Sequence, residues 1–450
     1  MHHHSTGTTT HPAESTQGGH LHGRPACIQW LHPDVATTIV STASSIIGRD
    51  ASCSTFLEGK EISRQHAAIE LDGPVVSIRD LASRNGLYVN ARRVEKSPLV
   101  SGDVVRCGEW IGIVTAQLAK EPFLEIAPGW FGGAALQSAM APARKAPVEL
   151  PIVVEGETGT GKEGAARAIH SFQRRRGPII AVNCATFPLQ LAESELFGHR
   201  KGAFTGAEQA SPGYFRSAER GTLFLDEILE LPQALQPKLL RAIEQREVVP
   251  VGETNPVPID VRIVVASQEA LAQAVRAGRF RSDLYARLNG LTITLPPLRE
   301  RREDIVPLTR RFLQDFSRGQ HPLLCHKLVE MLCVYDWPMN VRELAQLVRR
   351  MLTVNGQDAV LRKKYLPAQM QVLEPPESSS PPPAQKREWR RTDDDSEFEQ
   401  LVVALNQHQG SVSRAAAALG MQRSRAYRLL AAHPPVQLSG DRESRSDPSP

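Results

Sequence analysis

The spacing of apolar positions changes along the chain, and the changes divide it. Between residues 25 and 120 the apolar runs are short, β-rich and punctuated by Gly, Asp, Asn and Pro: TTIVST, SIIG, HAAIEL, VVSIRDL, GLYVN, DVVRCG and WIGIVTA. In VVSIRDL, Val76 and Ile78 alternate with Ser77 and Arg79, which predicts strands with one buried face and an all-β sandwich. From 128 to 370, apolar strands such as PIVVEG, TLFLDE and VRIVVAS alternate with helical stretches such as KEGAARAIHSF and PQALQPKLLRAIEQ. That is the rhythm of a parallel sheet covered by helices, an α/β domain. Residues 371–395 are rich in Pro and Ser and then charged, which predicts a linker. Residues 396–434 return to Ala- and Leu-rich helix broken by Gly410 and Gly420, a small all-α domain. The polar ends, 1–24 and 435–450, read as disordered. There is no internal repeat.

Length agrees with this division, since 450 residues at roughly 150 per domain give about three domains. With 41% hydrophobic and 23% charged residues, wholesale disorder is excluded. A formal charge of only +4 confines any nucleic-acid surface to a local segment. Cys27, Cys53, Cys107, Cys184, Cys325 and Cys333 are scattered without a CxxC pair, which argues against structural zinc and against a disulfide framework. No apolar stretch is long enough for a membrane span, and the start lacks the apolar core of a signal peptide, so a soluble, cytoplasmic protein is expected. His2, His3 and His4 belong to the polar N-terminal tract and are given no function.

Chemistry concentrates in the α/β region. Gly156-Glu157-Thr158-Gly159-Thr160-Gly161-Lys162 fits GxxxxGK, follows the apolar strand PIVV and leads into an Ala-rich helix, the context a phosphate loop requires. Glycines let successive N–H groups turn inward as an anion nest, the helix N-terminus adds its dipole, and Lys162 neutralises the β- and γ-phosphates of ATP. Glu163 stands where Ser or Thr usually holds Mg2+. The metal then depends on Leu223-Phe224-Leu225-Asp226-Glu227, an apolar strand ending in two carboxylates. Asp226 is placed for Mg2+, and Glu227 to polarise a water against the γ-phosphate. Arg281 and Arg287 lie beyond this pair and serve either the transferring phosphoryl group or plain salt bridges. Arg342, near a helix start in WPMNVREL, contacts nucleotide or pairs with a carboxylate.

These residues resemble the AAA+ activators of sigma-54 RNA polymerase, the bacterial enhancer-binding proteins. The likeness covers most of 128–370 and rests on GETGTGKE, Asn183 in VNCAT, ELFGHRKGAFTGA, GTLFLDEI, LPPLRERREDI and WPMNVREL. Its most specific part is Gly202-Ala203-Phe204-Thr205-Gly206-Ala207, which the resemblance makes the loop that contacts sigma-54 and transmits the hydrolysis stroke. Glu at position 163 is usual in that family. The resemblance also implies that Arg281 and Arg287 are arginine fingers for a neighbouring subunit's nucleotide, that Arg342 is the second sensor, and that Asn183 is a switch acting through Glu227. Read from the residues, Phe204 among small neighbours suggests an exposed aromatic for partner contact, or else a turn that buries one Phe. Three positions depart from the pattern: Gln268, Met339 and Leu229.

The N-terminal region resembles a forkhead-associated (FHA) domain through Gly48-Arg49, Ser63-Arg64-Gln65-His66, Asn85-Gly86 and Asn90. The likeness implies a β-sandwich whose loops bind phosphothreonine: Arg49 and Arg64 donate charge-assisted bonds, Ser63 adds a hydroxyl, Asn85 holds the peptide backbone and His66 braces the loop. The C-terminal region resembles a Fis-type helix-turn-helix, with SVSRAAAALG as one helix and QRSRAYRLL as the recognition helix. Arg423, Arg425 and Arg428 on that helix form the local basic patch for DNA. Together the likenesses imply a transcription activator that binds upstream DNA, assembles as a homo-oligomer, expected to be a hexamer, and hydrolyses ATP to remodel the sigma-54 polymerase complex under control of a phosphothreonine protein. The alternative is a regulator that binds phosphopeptide and DNA without hydrolysis.

Overall fold

The computed structural model of the chain describes residues 27–40, 45–72, 75–116, 123–188, 190–317, 322–355, 358–371, 392–408, 412–422, 425–426 and 429–430. The chain divides into two compact units at Pro375–Pro376.

In the first unit, two sheets form a sandwich. One has six strands in the order Ala36–Ile39, Cys27–His32, Trp110–Thr115, Val104–Cys107, Leu87–Val89 and Arg92–Val94. The other has five: Thr55–Phe56, Ser45–Gly48, Ala67–Asp72, Val75–Asp80 and Lys96–Pro98. Pairing is antiparallel throughout except between Ser45–Gly48 and Thr55–Phe56. Inward residues of both sheets, among them Trp30, Ile47, Ile69, Ile78, Val105 and Val114, make one core, in which Trp30 and Trp110 meet edge to face. Val76 and Ile78 thus face this core and Arg79 is exposed, whereas Ser77, expected on the open face, is buried. The strands Val104–Cys107 and Trp110–Thr115 differ. Their second face is also apolar, and Val104, Ile111 and Ile113 belong to a core built mainly by helices of residues 305–355. A sandwich strand with both faces apolar is one covered on both sides.

The α/β part begins with a hairpin, Leu124–Ala127 and Trp130–Gly132, followed by the helix Ala134–Lys145. Its five parallel strands run Ile179–Asn183, Thr222–Asp226, Arg262–Ser267, Ile152–Glu155, Leu291–Thr294. Period-2 side chains explain how this sheet is held. Val153, Leu223, Leu225 and Val265 face one apolar cluster with Phe197, Phe215, Leu239 and Leu284. Ile152, Val154, Phe224 and Val264 face another with Ala165, Ala168, Ile169 and Leu136. Each fully buried Val, Leu, Ile or Phe side chain among these contributes roughly 1.5–3 kcal/mol, so the two layers fix the sheet and with it the C-terminal strand ends where the site lies. A helical lid follows. The helices Ile305–Phe316, His326–Val334 and Asn340–Asn355 pack around Trp337, which is fully buried and donates its indole N–H to Leu332 O at 2.9 Å.

The second unit has its own small core. The helix Thr392–Gln407 starts inside the segment read as linker. It supplies Leu401, Ala404 and Leu405, which pack with Ala415 and Ala416 of the helix Val412–Ala418 and with Ala426 and Leu429. Gly420, at φ 64°, turns the chain after the second helix, and Met421 N donates to Ala416 O at 2.9 Å.

Candidate functional site

The phosphate loop connects the strand Ile152–Glu155 to the helix Lys162–Phe172. Gly159 (φ 78°) and Gly161 (φ 106°) occupy the left-handed region that only glycine enters at no cost. Space also demands them: a Cβ on Gly159 would stand 2.1 Å from Met339 O, and one on Gly161 would stand 2.9 Å from the Trp130 indole nitrogen. Lys162 is buried and its Nζ donates to Gly156 O at 2.9 Å. Burial pulls its pKa down, while the charges of Glu227 and Asp226 oppose the shift.

Residues outside the loop hold its shape. Arg299 makes a two-pronged bond to Glu157 at 2.8 and 2.5 Å, and Asn340 Nδ2 donates to Glu157 Oε2 at 3.1 Å and to Thr158 O at 3.0 Å. Arg301, 1% exposed, donates to Thr160 O at 3.0 Å and faces Asp304, whose Oδ1 accepts from Gly133 N at 2.7 Å. Removing one partner of a buried pair costs about 3–5 kcal/mol because the other charge stays buried. Glu157, read as a loop ligand, thus spends its carboxylate on bracing the loop against the lid. Arg299, Arg301 and Asn340 were not singled out individually. The motifs LPPLRERREDI and WPMNVREL carried them, but their partners lie some 140 residues or more away.

Asp226 ends its strand, and Glu227 follows in a left-handed conformation (φ 51°, ψ 52°) with its N–H donating to Asp226 Oδ1 at 3.0 Å. Burial and the neighbouring Glu227 charge push the Asp226 carboxyl up, against the pull of Lys162. Gln268, one of the three departures from the family pattern, donates its Nε2 to Glu227 Oε1 at 2.7 Å. Its longer reach therefore finds a partner. Asn183 pairs in register with Asp226 and accepts from Ala185 N at 2.9 Å. A cleft of about 490 Å³ brings together Thr158, Gly159, Thr160, Gly161, Lys162, Glu163, Asn183, Asp226, Glu227, Gln268 and Arg342, with Trp130 and Phe131 on its wall. Glu163 pairs with Arg167 one turn on, at 2.7 Å. Arg281 and Arg287 do not line this cleft. Arg281 is bound to Asp283 at 3.0 and 2.7 Å, and Arg287 to Glu244 at 2.6 Å.

The loop Gly202–Ala207 is closed by Gly202 N to Ala207 O at 2.8 Å and Ala207 N to Phe204 O at 3.0 Å. Gly202 (φ 78°) and Gly206 (φ 96°) have open space around them, so the backbone alone requires glycine. Phe204 is half-buried, with its ring 5.0 Å from that of His199. The exposure suggested by its small neighbours is thus only partial, because the turn lays the ring on the histidine.

At one end of the sandwich, Arg49, Ser63, Arg64 and Asn85 come together. Arg49 N donates to Ser63 O at 3.1 Å, Ser63 Oγ accepts from Arg84 N at 3.0 Å, and Asn85 Nδ2 donates to Glu61 O at 2.7 Å. The guanidinium-bearing residues Arg49 and Arg64 are exposed. His66 is fully buried, and burial holds its pKa below the usual histidine range. Its Nδ1 accepts from Ser63 N at 3.2 Å, which leaves Nε2–H to donate to Gly86 O at 3.2 Å. Asn90 closes the far turn with bonds to Asp103 and Val104. In the second unit Arg425 lies in helix, while Arg423 and Arg428 lie outside the described residues. Among the described residues, no helix is long and apolar enough to cross a membrane.

Three family models match: an FHA domain over residues 45–108, a sigma-54 interaction domain over 133–294 and an AAA+ ATPase lid domain over 299–382. The sigma-54-dependent transcriptional regulator SfnR of Pseudomonas fluorescens is 42% identical over 270 residues, which are 58% of this chain and 72% of that protein. The DNA-binding transcriptional regulator NtrC of Rhizobium meliloti is 47% identical over 224 residues, 49% of this chain and 46% of that protein. A crystal structure of NtrX from Brucella abortus in complex with ADP aligns at TM-score 0.50 and 29% identity, over 66% of this chain and 68% of that one. The chain spans 39% and 65% of the length of two further relatives. With the phosphate loop, the paired carboxylates and Arg342 converging as they do, the chain belongs to the sigma-54-dependent transcriptional regulators, and it joins their AAA+ sigma-54 interaction domain and lid to an FHA domain.

Proposed function

We propose that this protein is an ATP-hydrolysing transcription activator that assembles as a ring, probes sigma-54 through Gly202–Ala207 and is controlled by a phosphothreonine protein. The observation that carries the reading is the cleft in which Lys162, Asp226, Glu227 and Arg342 meet. Nucleotide phosphates lie in the nest of residues 156–162, with Lys162 and Arg342 against their charge. Glu227 takes a proton from water as its oxygen bonds to the γ-phosphorus, and the bond to the β-phosphate oxygen breaks to leave ADP. Gln268 orients Glu227 for this step. Asp226, with Glu227 beside it, offers the oxygen donors that suit Mg2+, and their mutual repulsion favours a cation there. Mg2+ bound there would supply charge neutralisation on the phosphates.

Arg281 and Arg287, absent from the cleft of their own subunit, act as fingers on the next subunit's nucleotide, which requires a closed ring, a hexamer by family likeness. DNA recognition belongs to the second unit, with Arg423, Arg425 and Arg428 as its contacts. Arg49, Ser63, Arg64 and Asn85 hold phosphothreonine and the peptide beside it.

Transcription from a sigma-54 promoter with ATP tests the whole reading. The wild type is expected to open the promoter, and Lys162→Ala to lose both hydrolysis and activation. Activation retained by Lys162→Ala would favour the non-hydrolysing alternative. For the FHA site, Arg49→Ala is expected to abolish retention on phosphothreonine-peptide beads. Equal retention of the two proteins removes the phosphopeptide assignment.

A further inference from the structure

The outer face of two sandwich strands is seated on the lid. Val104, Ile111 and Ile113 share one apolar cluster with Leu328, Val329 and Leu332 of the helix His326–Val334. Within this contact Arg106 Nε donates to Glu330 Oε2 at 2.7 Å, the two side chains being 10% and 6% exposed. The same guanidinium lies 3.5 Å over the Tyr88 ring. Burying a charge pair is costly without good geometry, and this pair has both a short bond and a stacked ring. Beside it, His326 Nδ1 lies 3.9 Å from Glu61 Oε2, and Arg310 donates to Pro33 O at 3.0 Å.

The contact adjoins the phosphate-facing loops. Glu61, which faces His326, also offers the carbonyl that holds Asn85, and Gly108 packs so closely on that carbonyl that a Cβ would stand 2.6 Å from it. On the lid side, the helix His326–Val334 packs on Ile305–Phe316, which packs on Asn340–Asn355, the helix that carries Arg342 into the nucleotide cleft. Both sites are thus supported by one docked surface.

We infer that the sandwich braces the lid: docking through Arg106 and Glu330 pre-organises the phosphothreonine loops and the nucleotide cleft together, so that peptide and nucleotide each raise the other's affinity. Coupling of this kind is reciprocal, and pre-ordering by the first ligand lowers the ordering cost of the second. Phosphopeptide is therefore expected to tighten nucleotide binding. The inference rests on the peptide and nucleotide sites assigned above.

The test uses the full chain, a fluorescent pool of phosphothreonine peptides and a non-hydrolysable ATP analogue. Wild type is expected to bind the peptides about fivefold or more tighter with the analogue present. Arg106→Glu and Glu330→Arg should each lose that gain, and the double variant R106E/E330R should recover most of it. Equal or weaker peptide affinity with the analogue in wild type overturns the inference. Hydrogen exchange gives a readout that needs no peptide. The analogue should slow exchange in Val104–Thr115 of wild type and not of Arg106→Glu; unchanged exchange in wild type also overturns it. Failure of the wild type to bind any phosphothreonine peptide, with the exchange effect intact, removes the phosphopeptide assignment while supporting the brace.

Discussion

Alanine at Arg281 or Arg287 is expected to lower ATP turnover by about 10³-fold or more, the worth of an arginine finger, while nucleotide still binds. Each guanidinium stands outside the cleft of its own chain and rests in an exposed ion pair, Arg281 with Asp283 and Arg287 with Glu244. Exposed pairs of this kind are weak, because water screens the charges and ordering the side chains costs entropy. A phosphoryl group gathering charge in a dry interface competes easily against that, so the present pairs are resting places compatible with a role in trans. Complementation gives the sharper measurement. A finger variant and Glu227→Gln, each inactive alone, should regain part of the activity when mixed, because some interfaces then join an intact Glu227 to an intact arginine. No recovery on mixing, or near-normal turnover of both finger variants, removes the assignment.

Glu227→Gln is expected to cost about 10²–10⁴-fold in hydrolysis, the usual contribution of a positioned base, with ATP affinity unchanged or tighter. The substitution keeps the side chain's size and removes only its ability to take a proton. Its backbone sits at φ 51°, a region costing a non-glycine residue roughly 1–2 kcal/mol, and the fold maintains it there. That conformation turns the carboxylate to Gln268. Single-turnover hydrolysis and a binding titration on the same preparation separate the two effects. A variant that hydrolyses within a few-fold of wild type shows that another group activates the water.

How much of this was legible in the chain depends on how local each feature is. The phosphate loop could be read because consecutive residues supply its chemistry: backbone N–H groups, glycines at left-handed positions and a lysine at the first helical residue. The carboxylate pair could be read because an apolar strand must end where the next residues turn polar, and a parallel sheet gathers such ends on one edge. The sandwich followed from period-2 alternation at Val76 and Ile78.

Contacts between distant segments were not legible. Nothing near Glu157 announces that Arg299 and Asn340 will claim its carboxylate, and only the fold decides whether Gln268 reaches Glu227. At Phe204 the residues left open an exposed aromatic or a turn that buries one Phe, because composition reports neighbours in sequence, whereas His199 lies beside it only after the turn closes. The second apolar face of Trp110–Thr115 was written plainly in WIGIVTA, yet without a partner in view it read as ordinary strand.

By itself the sequence determined the chemical groups, their backbone conformations and the elements that carry them, since these depend on residues a few positions apart. Tertiary structure alone decided which of those groups meet: the brace behind the phosphate loop, the partner of Glu227 and the seating of the sandwich on the lid. The physical reason is that hydrogen bonds and apolar contacts act over a few ångströms in space, and only packing of the whole chain brings residues 157 and 299, or 106 and 330, within that range.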